Sequence, residues 1–129
     1  MPMDMHGRDD IFYMIGHHPD DAQQRERLNM IEDPNITDDD GLSYLHVAAI
    51  NYNVGAAEVL LKKGADPNII DNRGRTPLSY AIGRKNPNLV KLVQLLLDYG
   101  ADLDYKSGER TIRETIKMFQ NSELIRFVE

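Results

Sequence analysis

The feature that most constrains the fold is a thirteen-residue segment that occurs twice at a fixed interval. Asp66-Pro67-Asn68-Ile69-Ile70-Asp71-Asn72-Arg73-Gly74-Arg75-Thr76-Pro77-Leu78 aligns position by position with Asp33-Pro34-Asn35-Ile36-Thr37-Asp38-Asp39-Asp40-Gly41-Leu42-Ser43-Tyr44-Leu45. The copies start at Asp33 and Asp66, and that step is the repeat period. A looser copy, Gly100-Ala101-Asp102-Leu103-Asp104 through Gly108, follows. Short turn-rich units recurring at this spacing predict a solenoid, in which each unit buries its apolar face only against its neighbours. Such a chain is expected to work by presenting a surface to another macromolecule.

Each unit carries signals for a pair of helices. Asp10, Ser43 and Thr76 stand one period apart and are all favoured N-cap residues; Phe12, Leu45 and Leu78 keep the same phase. Residues 1–8 read as a flexible N-terminal tail, and residues 9–129 as one domain. Within that domain, 9–37 reads as an N-terminal cap, with Gly16-His17-His18-Pro19 breaking its first helix and Asp20-Asp21 capping its second. Leu28 and Ile31 should face inward, while Arg25, Glu26, Arg27 and Glu32 face water. Residues 38–70 form the cleanest repeat: helix Ser43–Ile50, the turn Asn51-Tyr52-Asn53, a helix burying Val59, Leu60 and Leu61, and the stop Gly64. Residues 71–104 form a repeat that starts its helix with Pro77 at the first position. The step from Leu78 to Gly100 is longer by three than the matching step from Leu45 to Gly64, which places an insertion within 83–88. Val90, Val93, Leu96 and Leu97 are expected to be buried beyond the insertion. Residues 105–129 read as a C-terminal cap, with a finger shortened by two and apolar Ile112, Ile116, Phe119, Leu124, Ile125, Phe127 and Val128. The expected architecture is an all-α solenoid of four helix pairs joined by three β-turn fingers, with polar caps at both ends.

These residues resemble ankyrin repeats. Gly74-Arg75-Thr76-Pro77-Leu78-Ser79 and Leu45-His46-Val47-Ala48-Ala49 carry the first half of that family's pattern. Gly64-Ala65-Asp66-Pro67-Asn68 and Gly100-Ala101-Asp102-Leu103-Asp104 carry the second. Tyr44 stands where the pattern has proline, and Ser79 where it has histidine. The resemblance implies that His46 is a structural imidazole hydrogen-bonded to neighbouring finger backbone. It also implies a concave groove, used for proteins, lined by finger tips and first helices. Carried over by position, the groove holds Asp39, Asp40 and Leu42 on one finger, Asn72, Arg73 and Arg75 on the next, and Ile50, Asn51, Tyr52 and Arg84 near helix ends. Leu42 and Tyr52 are the expected hot spots, because they are apolar or aromatic where exposure is expected.

Composition narrows the partner. The net charge of −6 divides unevenly, −8 over residues 1–66 and +2 over residues 67–129. An acidic chain is poorly suited to phosphate backbones, so no nucleic-acid partner is expected. The acidic half either steers a basic protein or only keeps the chain soluble. No apolar run approaches the ~20 residues of a membrane span, and the N-terminus lacks a signal-peptide pattern, which gives the expectation of a cytoplasmic protein. With no cysteine there is no thiolate chemistry and no cysteine zinc site. Asn35-Ile36-Thr37 matches a glycosylation triplet but reads as part of a turn.

The residues that carry chemistry do not assemble into a catalytic set. Asp38-Asp39-Asp40 lacks calcium-loop spacing and reads as a solvated finger tip. Ser43, Thr76 and Asp10 read as caps rather than nucleophiles. The expectation is a non-catalytic, cofactor-free and metal-free module, monomeric when free, that binds another protein. Its narrower form is an inhibitor, of the kind found among kinase inhibitors and bacterial toxin-immunity proteins, with a toxin or enzyme as partner. The rivals are a metal-assisted enzyme using His17, His18 and nearby aspartates, and a self-association unit pairing the acidic half with the basic half.

Overall fold

In the computed structural model, residues 5–17, 21–119 and 121–129 are described. Among these residues seven helices run in the order α1 (Asp10–His17), α2 (Ala22–Asn29), α3 (Tyr44–Ile50), α4 (Val54–Lys62), α5 (Pro77–Ala81), α6 (Leu89–Asp98) and α7 (Ile112–Phe119). A 3-10 turn, Ile125–Phe127, follows α7. Helices α1, α3 and α5 pack in an inner row, and α2, α4 and α6 in an outer row. The all-α solenoid therefore stands, with one change to its fourth pair: α7 is followed by the 3-10 turn rather than a second α-helix. Of the three fingers, the third is a hairpin of β1 (Lys106–Ser107) and β2 (Arg110–Thr111), and the first holds an isolated bridge between Thr37 and Ser43.

Helix starts are set by side chains that satisfy the orphan N–H groups of the first turn. Ser43 and Thr76 each accept from the N–H three residues on, and the side chain at that third position returns the bond, forming capping boxes with His46 and Ser79. Thr111 and Glu114 do the same for α7, at 3.0 and 3.2 Å. The cap of α1 lies one residue earlier than expected. Asp9, not Asp10, accepts from the N–H groups of Ile11 at 3.0 Å and Phe12 at 3.3 Å. Helix α1 also continues through Gly16 to His17. Asp21 caps α2 through the N–H of Gln24 at 2.8 Å. Asp20, His18 and Pro19 lie outside the described residues.

The core runs the length of both rows. Leu28, Leu45, Ala48, Ala49, Leu60 and Leu78 are at or within 1% of zero exposure, the two alanines letting α3 approach its neighbours. Ile31 is half-buried against this core. In α6 the buried stripe is Leu89, Leu92, Val93 and Leu96, at positions i, i+3, i+4 and i+7, whereas Val90 and Leu97 are only half-buried. The inserted residues start the helix so that Leu89 faces inward. In the C-terminal cap Ile112, Ile116, Leu124 and Val128 are buried, but Phe119 is 71% exposed.

Neighbouring units are tied by side chains that repeat with the period. Asn35 accepts from the N–H of Asp66 at 2.8 Å, and Asn68 accepts from that of Asp102 at 2.8 Å and donates to the Gly100 carbonyl at 2.9 Å. An amide suits this place because it offers a donor and an acceptor together. Asp104, the third residue in this series, instead pairs with Arg113 at 2.8 Å. The first unit joins the same scheme. Within the tail expected over residues 1–8, the His6 carbonyl accepts from the N–H of Asp39 at 2.8 Å, and Arg8 pairs with Asp38 at 2.9 Å.

Candidate protein-binding face

His46 fixes how the fingers stack. The ring has no solvent exposure. The backbone N–H of Ser43 donates to Nδ1 at 3.0 Å, so the ring proton sits on Nε2, which donates to the Arg75 carbonyl at 2.8 Å. Burial pushes its pKa below the ordinary histidine range, outweighing the Arg75 carbonyl and the carboxylates of Asp71 and Asp38. The imidazole is therefore a neutral strut between α3 and the second finger, with Tyr80 edge-on at 5.9 Å. Ser79, the equivalent residue one unit later, is too short for this link. The third finger is held instead by Tyr105, whose hydroxyl donates to the Gly74 carbonyl at 2.7 Å.

The interiors of the first two fingers are organised by one aspartate each. Asp71 accepts from the N–H groups of Arg73 and Arg75, both at 2.9 Å, and from the hydroxyl of Tyr80. Burial acts to raise its pKa, but these three donors together hold its carboxyl below the usual range. Burial and the same carboxylate push the Tyr80 phenol up to about 12. Asp38 plays the matching part, accepting from Asp40 and Leu42 N–H groups at 2.9 Å. It is 5% exposed, so the Asp38-Asp39-Asp40 run is not a uniformly solvated tip: Asp38 is buried framework, and only Asp39 and Asp40 face water. Tyr44, in the proline position, fills the space beside Phe12 with ring centroids 4.6 Å apart and donates to Asp9. Burial and that carboxylate raise its pKa.

With the framework accounted for, the expected contact residues fall into three groups. Asp39, Asp40 and Arg73 are exposed on the finger tips. Asn72 is exposed too, but its N–H and its amide donate to the Asp40 and Asp39 carbonyls at 2.9 Å, so it clamps one finger to the other. Leu42, Ile50 and Asn51 line a depression of about 180 Å³ between α1 and α3, together with Tyr13, His17 and Val47. Arg75 and Arg84 line a groove of about 670 Å³ between α5 and α7. The two hollows are register-equivalent, because one repeat period separates Leu42 from Arg75 and Asn51 from Arg84. They therefore lie on one face, formed by fingers and inner helices.

Tyr52 does not belong to that surface. It adopts φ +54° and is 4% exposed. Its hydroxyl donates to the carbonyls of Ala81 at 2.7 Å and Arg84 at 3.1 Å. The inserted 83–88 segment covers it, with the Arg84 guanidinium 5.4 Å above the ring and donating to the Ile50 carbonyl. The left-handed turn aims the ring toward the next unit, which is why an aromatic in a polar turn is buried here.

His17 is exposed and stacked on Tyr13, with centroids 6.2 Å apart. Among the described residues no three His, Cys, Asp or Glu side chains are placed to hold a metal ion. No helix among them is long and apolar enough to cross a membrane. The larger groove holds residues the repeat pattern did not single out: Lys85, Thr115, Ile116 and Phe119. It exists because α7 packs far less closely on α5 than α3 does. The lost two residues of the third finger, countable in the sequence, are the visible sign of that break in stacking.

The model of the family described as Ankyrin repeats (3 copies) matches residues 11–107. Among curated proteins, neurogenic locus notch homolog protein 1 of Danio rerio is 51% identical over 53 residues, covering 41% of this chain and 2% of that protein. The ankyrin repeat and LEM domain-containing protein 1 homolog of Caenorhabditis elegans is 46% identical over 61 residues, 47% of this chain and 8% of that protein. A putative ankyrin repeat-containing protein of Treponema pallidum is 42% identical over 67 residues, 52% of this chain and 22% of that protein. The matched part is thus a small fraction of each relative's length. Ankyrin repeats are generally protein–protein interaction modules, and the repeat period, the capping boxes, the His46 strut and the model match together place this chain in the ankyrin-repeat family.

Proposed function

We propose that the chain binds a partner protein through the face formed by its fingers and inner helices. The carrying observation is the pair of hollows on that face and the cations beside the larger one. On the inner face the register-equivalent positions line two hollows, and Arg75 and Arg84 have no carboxylate within ion-pair distance among the described residues. Ties such as the buried His46–Arg75 bond and the Asn72–Asp39 bond at the tips preform this surface, so little ordering entropy is lost on association. Inhibition by occlusion is the narrower form of the reading. It is supported by the exposed Asp39 and Asp40 and the −8 charge of residues 1–66, which suit a basic enzyme or toxin.

Site-specific photo-crosslinking in the cell that makes the protein tests the proposal. A crosslinker at Asn51 should yield a discrete adduct with a second protein, and one at Lys62 should not. Adducts at Lys62 alone would overturn the assignment of the face.

A further inference from the structure

The groove between α5 and α7 has a chemistry of its own. Ile82, Ile112, Ile116 and Leu124 form an apolar floor, and Phe119 stands 71% exposed beside it. Three cations, Arg75, Arg84 and Lys85, face one carboxylate, Glu123, across the lining. Among the described residues none of these three cations lies within ion-pair distance of a carboxylate. Two of them are preset rather than freely moving: Arg75 lies 5.6 Å above the Tyr80 ring, and Arg84 lies over Tyr52 while bonding the Ile50 carbonyl. A volume of about 670 Å³ accommodates a few side chains but not a folded element.

We propose that this groove captures an acidic segment of the partner, in which Asp or Glu residues flank one large apolar side chain. The inference rests on the protein-binding reading of the inner face and specifies its C-terminal half. The apolar side chain sits on Ile82 and Ile116 against Phe119, and the flanking carboxylates meet Arg75, Arg84 and Lys85. Guanidiniums already held by aromatic rings lose less freedom on pairing than extended ones. An acidic peptide is favoured over a basic one by the three-to-one charge of the lining, and over a purely polar one by the floor. The −8 half thus meets basic surface of a partner while the +2 half takes an acidic segment, which fixes the direction in which the partner lies.

The probe is a random dodecapeptide phage library panned against the full chain, with the enriched consensus made as a fluorescein-labelled peptide. The consensus should place Asp or Glu around a Phe, Leu, Ile or Met. Its affinity should fall about tenfold in Lys85→Glu and in Phe119→Ser, both at exposed positions, and fall with rising salt. Circular dichroism of each variant checks that the fold is retained. A basic consensus, no enriched peptide, or an acidic one indifferent to both variants overturns the proposal. Peptides weakened only by Ile50→Glu would overturn it while leaving the protein-binding reading of the face intact. Peptides indifferent to Ile50→Glu as well would count against both. Sedimentation showing a salt-sensitive dimer of the chain, abolished by Lys85→Glu, would assign the groove to a second copy instead.

Discussion

Replacing His46 with alanine separates the structural role of this ring from that of an ordinary helix cap. The substitution leaves the Ser43 N–H without a partner at a residue 1% exposed, an unsatisfied buried donor that costs about 1–3 kcal/mol. The link from Nε2 to the Arg75 carbonyl is lost as well, worth about 1 kcal/mol net because that carbonyl keeps the Asp71 N–H at 3.0 Å. The space left by a fully buried ring adds roughly 1 kcal/mol. The total is about 4 kcal/mol, a large share of the roughly 5–15 kcal/mol that stabilises an ordinary domain. Ser79→Ala is the matched control, since Ser79 serves the same cap but reaches no other finger. It should cost about 1 kcal/mol. Urea unfolding followed by circular dichroism, with linear extrapolation, measures both. If the two variants lose equal stability within error, the strut between α3 and the second finger carries no weight.

Other perturbations probe the same framework. Gly41 adopts φ +79°, and a Cβ there would lie 2.7 Å from Asn72 Oδ1 and 2.8 Å from its backbone nitrogen. Gly41→Ala should therefore cost about 3 kcal/mol in thermal or urea unfolding, against about 1 kcal/mol for Gly64→Ala, where φ is +97° but nothing lies within 4 Å. Tyr52→Phe removes the bonds to the Ala81 and Arg84 carbonyls; it should cost about 1–1.5 kcal/mol and speed amide exchange across 83–88. The folded-state pKa of His46 is depressed, so the unfolded chain binds the proton more readily. Its stability contribution is complete above the ordinary histidine pKa and lost as pH falls below it. Wild-type stability should drop between pH 7 and pH 5, and His46→Gln should flatten that part of the curve.

The repeat made the architecture legible because one period carries several independent physical demands. Gly64 ends a helix, Asn68 bridges to the next unit, Thr76 caps and Pro77 starts a helix, each a residue chosen by local backbone chemistry. His46 was legible through family resemblance, and its burial and tautomer agree with it. Burial of polar groups was not legible in the same way. Asp38 and Asp39 are identical in type, yet one gathers backbone N–H groups inside the finger and the other faces water. Tyr52 reads as exposed because it follows Asn51 in a turn, and only the folded insertion shows what covers it. The shift of the α6 stripe to Leu89 and Leu92 has the same origin, since the insertion rotates the helix start. One signal lay open in the sequence: Thr111-Ile112-Arg113-Glu114 has the spacing of a capping box and marks the start of α7. At the candidate site, Leu42, Ile50, Asn51, Arg75 and Arg84 follow from position in the repeat. Lys85 and Phe119 depend on how far α7 stands from α5; the shortened third finger marks the break in stacking, but it does not say which side chains line the gap.

That fingers and inner helices form the working face is tested most directly by hydrogen–deuterium exchange of the chain alone and in complex with the partner captured by crosslinking. New protection is expected at Leu42, at Ile50–Asn51, at Arg75 and across 83–85, with α2, α4 and α6 unchanged. Protection confined to the outer helices, with the inner face exchanging as in the free chain, would contradict that assignment.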